Sequence, residues 1–269
     1  MLPSSSSLFH FTRKSSVFKK ILRNGLRYSE SAEYCPNDDE LSDKTYKNNG
    51  AYIFPMICFC DIPISRTLAH RKTYGNYAIG FNKDFLCSKL TKTINPVNYI
   101  SNPQYALFIA TLRQRLENKI KYTLDKGYYS EDIKTKIDKE YEIVNALYYY
   151  FKPCEFYDER EWRATLPKGI PWRRTMITWE GNYTHDIEKH IESLKNVIKP
   201  TNVYLTFSSE ELSEAISYII LPKENDVHKY IEHILNEQNP LFGSMNVSQK
   251  ERILLISKIT SFERIENDY

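Results

Sequence analysis

Residues 51–81, AYIFPMICFCDIPISRTLAHRKTYGNYAIGF, constrain the fold more than any other stretch of this 269-residue chain. Two apolar runs frame a polar centre. The first, Ile53 to Phe59, ends in Cys60, Asp61, Ile62 and Pro63; the second, Tyr77 to Phe81, is bounded by Gly75 and Asn82. Both are short and rich in β-branched and aromatic side chains, so they predict buried strands. The centre carries Arg66, His70, Arg71, Lys72 and Tyr74. An acid at a strand end, followed by a loop with a histidine and cations, is a pattern on which a rigid scaffold builds a site. A plain strand, turn and strand would look the same.

The rest of the chain supplies partners for these strands. SLFHFT, residues 7–12, predicts a first strand, with Leu8, His10 and Thr12 on one face and Phe9 and Phe11 on the core face. Ser15 or Ser16 then caps a helix that Gly25 ends. Residues 29–50 are polar and read as a surface loop. NKDFLCSKL predicts a short helix and residues 94–101 another strand. Apolar residues at spacings of three and four predict an amphipathic helix over 104–125 and a second over 130–150, paired through Lys126-Gly127. Glu161–Leu166 predicts a strand with Glu161, Arg163 and Thr165 on one face. Residues 171–185 suggest no element. Beyond them come a helix ending at Pro200, a strand at NVYLTF, a serine-capped helix start at SSEELSEA and a buried strand at SYIILP. A helix capped by Asp226 and a final strand close the chain. The expected fold is a single α+β domain over residues 1–269, with a mixed, largely antiparallel central sheet, flanking helices and a helical insertion at about 104–150.

Charge and motifs exclude several classes. With 37 basic and 34 acidic residues the net charge is +3, which is no argument for a nucleic-acid partner. Arg173, Arg174 and the basic positions Arg113, Arg115, Lys119 and Lys121 are the residues a nucleic-acid-binding module would use. The five cysteines are scattered and odd in number, as expected of reduced thiols in a cytoplasmic protein. No apolar run approaches membrane-spanning length, and MLPSSSSL is unlike a signal peptide, so a soluble protein with no membrane partner is expected. No phosphate-binding glycine loop, HExxH, GxSxG or paired CxxC occurs. Cys58 and Cys60 with His70 fall short of four zinc ligands, so no metal site is expected.

Two places carry candidate chemistry. His10 sits mid-strand beside Thr12, where a ring nitrogen can hold a ribose hydroxyl or phosphate. Glu161 and Arg163 open an otherwise apolar strand on one face. A carboxylate there can hydrogen-bond a sugar hydroxyl or stabilise a cation.

SLFHFT with FKKILRNGL, ICFCDIPIS…H…YGNYAIGF with NPVNYI, E-R-E-W-R, and the closing LLISKIT…RIENDY together resemble the AbiGi family of bacterial abortive-infection, phage-resistance proteins. The resemblance covers most of the chain and implies an antitoxin-like or regulatory component of a two-gene system, with a cognate toxin or other defence protein as partner. It implies no catalytic residue. The segment order also resembles the ADP-ribosyltransferase fold, which implies NAD as substrate and an effector enzyme. In that resemblance His10 and Thr12 hold NAD, Cys60-Asp61 or Tyr74 supplies the middle position, and Glu161 or Glu159 is the catalytic carboxylate, with Arg163 beside Glu161. The chain departs from that pattern in lacking a Ser-Thr-Ser middle strand, which leaves a degenerate, non-catalytic version of the fold open.

Overall fold

A computed structural model describes residues 5–35, 48–100, 102–127, 130–133, 135–137, 139–140, 150–167, 170, 175–180 and 201–268. The chain begins with β1 (Ser7–Thr12), α1 (Ser15–Asn24), β2 (Leu26–Arg27), β3 (Ser29–Cys35) and the long β4 (Asn48–Cys60). Then come α2 (Leu68–Tyr74), β5 (Tyr77–Asn82), α3 (Lys83–Lys89), β6 (Ile94–Pro96), β7 (Asn98–Ile100) and α4 (Asn102–Asp125). The strands β8 (Phe151–Pro153), β9 (Glu161–Thr165), β10 (Thr175–Glu180) and β11 (Tyr204–Leu205) follow. The last elements are α5 (Leu212–Ala215), β12 (Ile216–Leu221), α6 (Val227–Leu235), α7 (Gln249–Ile256), β13 (Ile259–Ser261) and α8 (Phe262–Asp268).

The fold is α+β, as the sequence predicts. Among the described residues the main sheet runs β13-β12-β5-β1-β4-β9-β6, with β3 and β10 added to the first half of β4. Every pairing in it is antiparallel except β12 with β13. One edge of β4 is shared between two strands. β3 pairs from Gly50 to Met56, whereas β1 meets β4 only at the Phe9–Cys60 pair. Along Ile57, Cys58 and Phe59 that edge has no strand beside it among the described residues, so the sheet splits there.

Apolar packing explains why the split persists. On one face Leu8, Phe59, Ile79 and Phe81 bury against α1 through Phe18 and Leu22, in the main core. Each such side chain contributes roughly 2 kcal/mol on leaving water. Alternation along β4 sends Phe54, Met56, Cys58 and Cys60 to the opposite face. There they divide. Phe54 and Met56 pack with Leu116 of α4 and with Ile137, while Cys60 packs with Phe9, Ala78, Ile220 and Phe262 of α8. Two clusters on one face leave a gap between them, and Cys58 lies in that gap.

Several local expectations change. Residues 29–35 are strand rather than loop, because a polar segment can pair along β4 through its backbone alone. The polar centre of 51–81 contains a short helix, α2, which seven residues are too few to reveal by periodicity. Residues 94–101 divide into β6 and β7, which join different sheets. Thr175–Glu180, unassigned from sequence, pairs with β4. Lys14 rather than a serine stands at the cap of α1, Asp226 makes no capping bond to α6, and the chain ends in a helix. The expected helix before Pro200, residues 141–149 of the second long helix, Arg173 and Arg174 lie outside the described residues. No helix among the described residues is long and apolar enough to cross a membrane.

Gly75 ends α2 at φ 112, and a Cβ there would stand 2.4 Å from Arg13 Cα and from the Thr12 carbonyl oxygen. Both neighbours are backbone and cannot turn aside. Gly75→Ala is therefore expected to lower the urea unfolding free energy by about 2 kcal/mol.

Candidate functional site

The gap between the two clusters is a cavity of about 280 Å³. Phe9, His10 and Phe11 of β1 and His70 and Tyr74 of α2 form one wall. Met56, Cys58, Phe59 and Cys60 of β4, with Ser31, Lys152, Glu159 and Glu161, form the rest.

His10 closes the inner end of the split. Its Nδ1 lies 2.9 Å from the Cys58 carbonyl oxygen, the backbone group a neighbouring strand would have satisfied. A carbonyl only accepts, so Nδ1 carries the proton. Burial lowers the His10 pKa against the opposing effect of this bond, so the ring is neutral and Nε2 is a bare acceptor. His70 is likewise pushed down by burial, against the pull of Glu159 and Glu161. Neither ring brings positive charge to the cavity near neutral pH.

The opposite wall is a chain of alternating charges. β9 places Glu161 beside Cys60 and Arg163 beside Cys58, on the same face of the sheet. Arg163, fully buried, donates from Nε to Glu161 Oε1 (2.9 Å) and from Nη2 to Oε2 (3.0 Å). Lys152 Nζ donates to Glu161 Oε2 at 3.1 Å and to Glu159 Oε2 at 2.5 Å. Tyr74 Oη donates to Glu159 Oε1 at 2.8 Å. The Glu161 N–H donates to Tyr99 Oη, also at 2.8 Å. Burial alone would raise the Glu161 carboxyl, but Arg163 first, then Lys152 and a bond from the Cys58 thiol, hold it at about 2. Glu161 is thus a fixed anion that can accept a hydroxyl proton in a hydrogen bond but cannot exchange protons near pH 7. Tyr74 is raised by burial and by its bond to Glu159, so it stays a donor. Arg160, at φ 44, turns the chain between the Cys154–Glu159 3-10 turn and β9, and both flanking carboxylates reach Lys152.

The predicted residues separate into three groups. His10, Tyr74 and Glu161 line the cavity. Arg163 stands behind Glu161 and holds it. Thr12 and Asp61 are not among the lining residues. Thr12 pairs with Tyr77 in the sheet, and the Asp61 carboxylate is occupied by the Ser5 N–H (2.7 Å) and Lys83 (2.6 Å). Lys152, Cys58 and Tyr99 were not singled out for this site by the sequence, and Lys152 had no local signal, since it comes to the cavity through β8. Glu159, the alternative to Glu161 for the carboxylate position, also lines the cavity. No group of three or more metal-ligating side chains occurs among the described residues. Of the basic positions on α4, Lys119 pairs with Glu140, and Arg115 and Lys121 are exposed.

Comparison with known proteins gives two findings. A family model described as "Putative abortive phage resistance protein AbiGi, antitoxin" matches residues 32–221, a span that includes β4, α2, β9 and all the acidic residues of the cavity. The "Abortive phage resistance protein AbiGi" of Lactococcus lactis subsp. cremoris is 26% identical over 280 residues, covering 90% of this chain and 97% of that protein. No solved structure matches. With the family model covering well over half of its length, the chain belongs to the AbiGi family of abortive phage resistance proteins.

Proposed function

We propose that this chain is the antitoxin-like, regulatory component of an abortive-infection system, and that its working part is the split-sheet cleft, which takes a ribosyl nucleotide such as NAD. The observation that carries the binding reading is the placement of neutral His10 and ionised Glu161 across one cavity. Together they offer a hydroxyl-bearing ligand a nitrogen acceptor and a fixed carboxylate between aromatic walls. Regulation rather than catalysis fits the condition of Glu161, since both of its oxygens are already engaged by Arg163 and Lys152.

The antitoxin role rests on the family description and is tested in cells. Expressed alone the protein is expected to be harmless, and it should restore growth when its cognate toxin is expressed. Failure to rescue would end that reading. Ligand binding is tested by thermal shift. Millimolar NAD is expected to raise the Tm of the wild type by a few degrees, as ligand excess over Kd does, and the shift should vanish in His10→Ala.

A second reading, an NAD-dependent ADP-ribosyltransferase-like effector, draws on the same juxtaposition of His10 and Glu161. In that reaction the bond between nicotinamide and ribose breaks and positive charge develops on the ribose, where a carboxylate is favourable. Glu161 would stabilise that charge and His10 would orient the ribose. The expected result is toxicity that Glu161→Gln abolishes; toxicity retained in that variant rejects the enzyme.

A further inference from the structure

The cavity lies in a seam that side-chain hydrogen bonds stitch at its inner and outer ends. β1 and α2 belong to one side, β4, β8 and β9 to the other, and beyond Phe9–Cys60 the register between β1 and β4 stops. The inner stitch is His10 to the Cys58 carbonyl. The outer stitch is Tyr74 to Glu159, spanning 85 residues of sequence. These two bonds differ in kind. The inner one satisfies a backbone carbonyl within the sheet. The outer one joins a short helix to a 3-10 turn at a half-exposed position, with Tyr74 39% exposed.

α2 is built as a strap. Thr67, buried at its start, bonds back to the Ile64 carbonyl at 2.8 Å. Gly75, at its end, is wedged against the Arg13 backbone. Between these anchors the helix is seven residues long, and it brings His70 and Tyr74, one turn apart, to the cavity. On the opposite wall, Lys152 holds the other oxygen of Glu159, so the carboxylate is aimed at Tyr74 without depending on it. The strap is also held along its length, by Arg13 donating to the Thr73 carbonyl at 3.0 Å and by Arg71 pairing with Glu266, so the part of the outer stitch able to turn is the half-exposed Tyr74 side chain.

We propose that the Tyr74–Glu159 hydrogen bond is a latch that controls entry to the cleft. With the bond made, the Tyr74 ring closes the outer end of the seam. When it opens, the Glu159 oxygen that Tyr74 held becomes an acceptor for a hydroxyl of the entering ligand. The exchange replaces one hydrogen bond by another, so it costs little once ligand is present and disfavours the open state in its absence. This regulation rests on the reading of the cleft as a ligand site, but the latch has a readout that needs no ligand.

That readout is Cys58, a half-buried thiol lining the cavity, two residues from the buried Cys60. The probe is methyl methanethiosulfonate, small and uncharged, with each modified thiol located by mass spectrometry. Tyr74→Phe keeps the ring and removes the latch hydroxyl. It is expected to speed Cys58 modification about five-fold, the population change that one net hydrogen bond supports. Cys60 should remain slow. Glu159→Ala should give a similar acceleration, and Tyr74→Phe/Glu159→Ala should be no faster than Glu159→Ala alone, because both changes remove one bond. An unchanged Cys58 rate in Tyr74→Phe overturns the latch, as do additive effects in the double variant or parallel acceleration at Cys60. NAD separates this from the binding reading. Accelerated Cys58 labelling with no NAD shift in any variant keeps the latch and rejects NAD; an NAD shift with unchanged labelling does the reverse.

Discussion

Arg163→Ala is expected to be among the most damaging single substitutions in this protein, lowering unfolding free energy by about 3–5 kcal/mol. Arg163 is fully buried, and its guanidinium makes a two-point contact with a carboxylate that is itself nearly buried. Truncation leaves Glu161 with Lys152 as its remaining close cation and opens a cavity where the arginine stem lay. The loss is a large fraction of the roughly 5–15 kcal/mol that holds a domain folded. Urea titration measures it. Glu161→Gln/Arg163→Met should recover much of the loss, because it removes the stranded charge as well as its partner. If Arg163→Ala alone were neutral, the pair would not be organising this wall.

The same pair fixes a pH dependence. The Glu161 carboxyl is held at about 2, below its ordinary 4.5. A folded-state value below the unfolded one means the folded protein binds the proton less readily. The resulting stabilisation, roughly 3 kcal/mol, is complete above pH ~4.5 and is lost as pH falls toward ~2. Stability measured across that window should fall less steeply in Glu161→Gln than in the wild type.

Arg252→Ala is expected to cost about 4 kcal/mol, through a different mechanism. Arg252 is completely buried, and its guanidinium donates to five backbone carbonyls. Nε reaches Val247 (3.2 Å), Nη1 reaches Ile234 (2.6 Å) and Asn236 (2.9 Å), and Nη2 reaches Glu237 (3.2 Å) and Asn239 (2.9 Å). Five N–H groups is the full donor complement of the side chain. It ties the end of α6 and the following loop to α7, doing for a loop what ladder bonds do for a strand. Without it, five carbonyls lose this donor, and those of the buried residues Ile234 and Val247 lose it out of reach of water. Arg252→Lys should recover less than half of the loss, since three donors on one nitrogen cannot span the same fan. Amide hydrogen exchange over residues 236–247 should accelerate in both variants, and unchanged protection there would refute the role.

These two arginines show where sequence reading reached its limit. Arg163 was singled out because it alternates with Glu161 on a strand, a relation two residues apart. Arg252 closes the polar half of QKERILLI, and nothing nearby distinguishes it from a solvated helix position. Its partners lie 5 to 18 residues upstream and are backbone carbonyls, which every sequence has.

The site divides in the same way. His10 was legible because a polar ring interrupts an aromatic strand, and Glu161 because a carboxylate opens an apolar one. Asp61 had the same kind of signal and a different fate: its carboxylate is held by Lys83 and the Ser5 N–H. A charged residue at a strand end is equally suited to a cleft and to an ion pair, and which it becomes depends on what packs beside it.

Local periodicity and side-chain character determined the main strands, the long amphipathic helix, the α+β class and the candidate pair His10 and Glu161. Those features depend on residues within a few positions of one another. Tertiary structure alone decided that β3 and β1 share one edge of β4 and leave it open at Cys58, that Lys152 arrives through β8 to bind Glu159 and Glu161, and that Tyr74 crosses the seam to meet them. The cleft is an absence of pairing between distant segments, and such a gap is set by where the apolar clusters on the two sides come to rest.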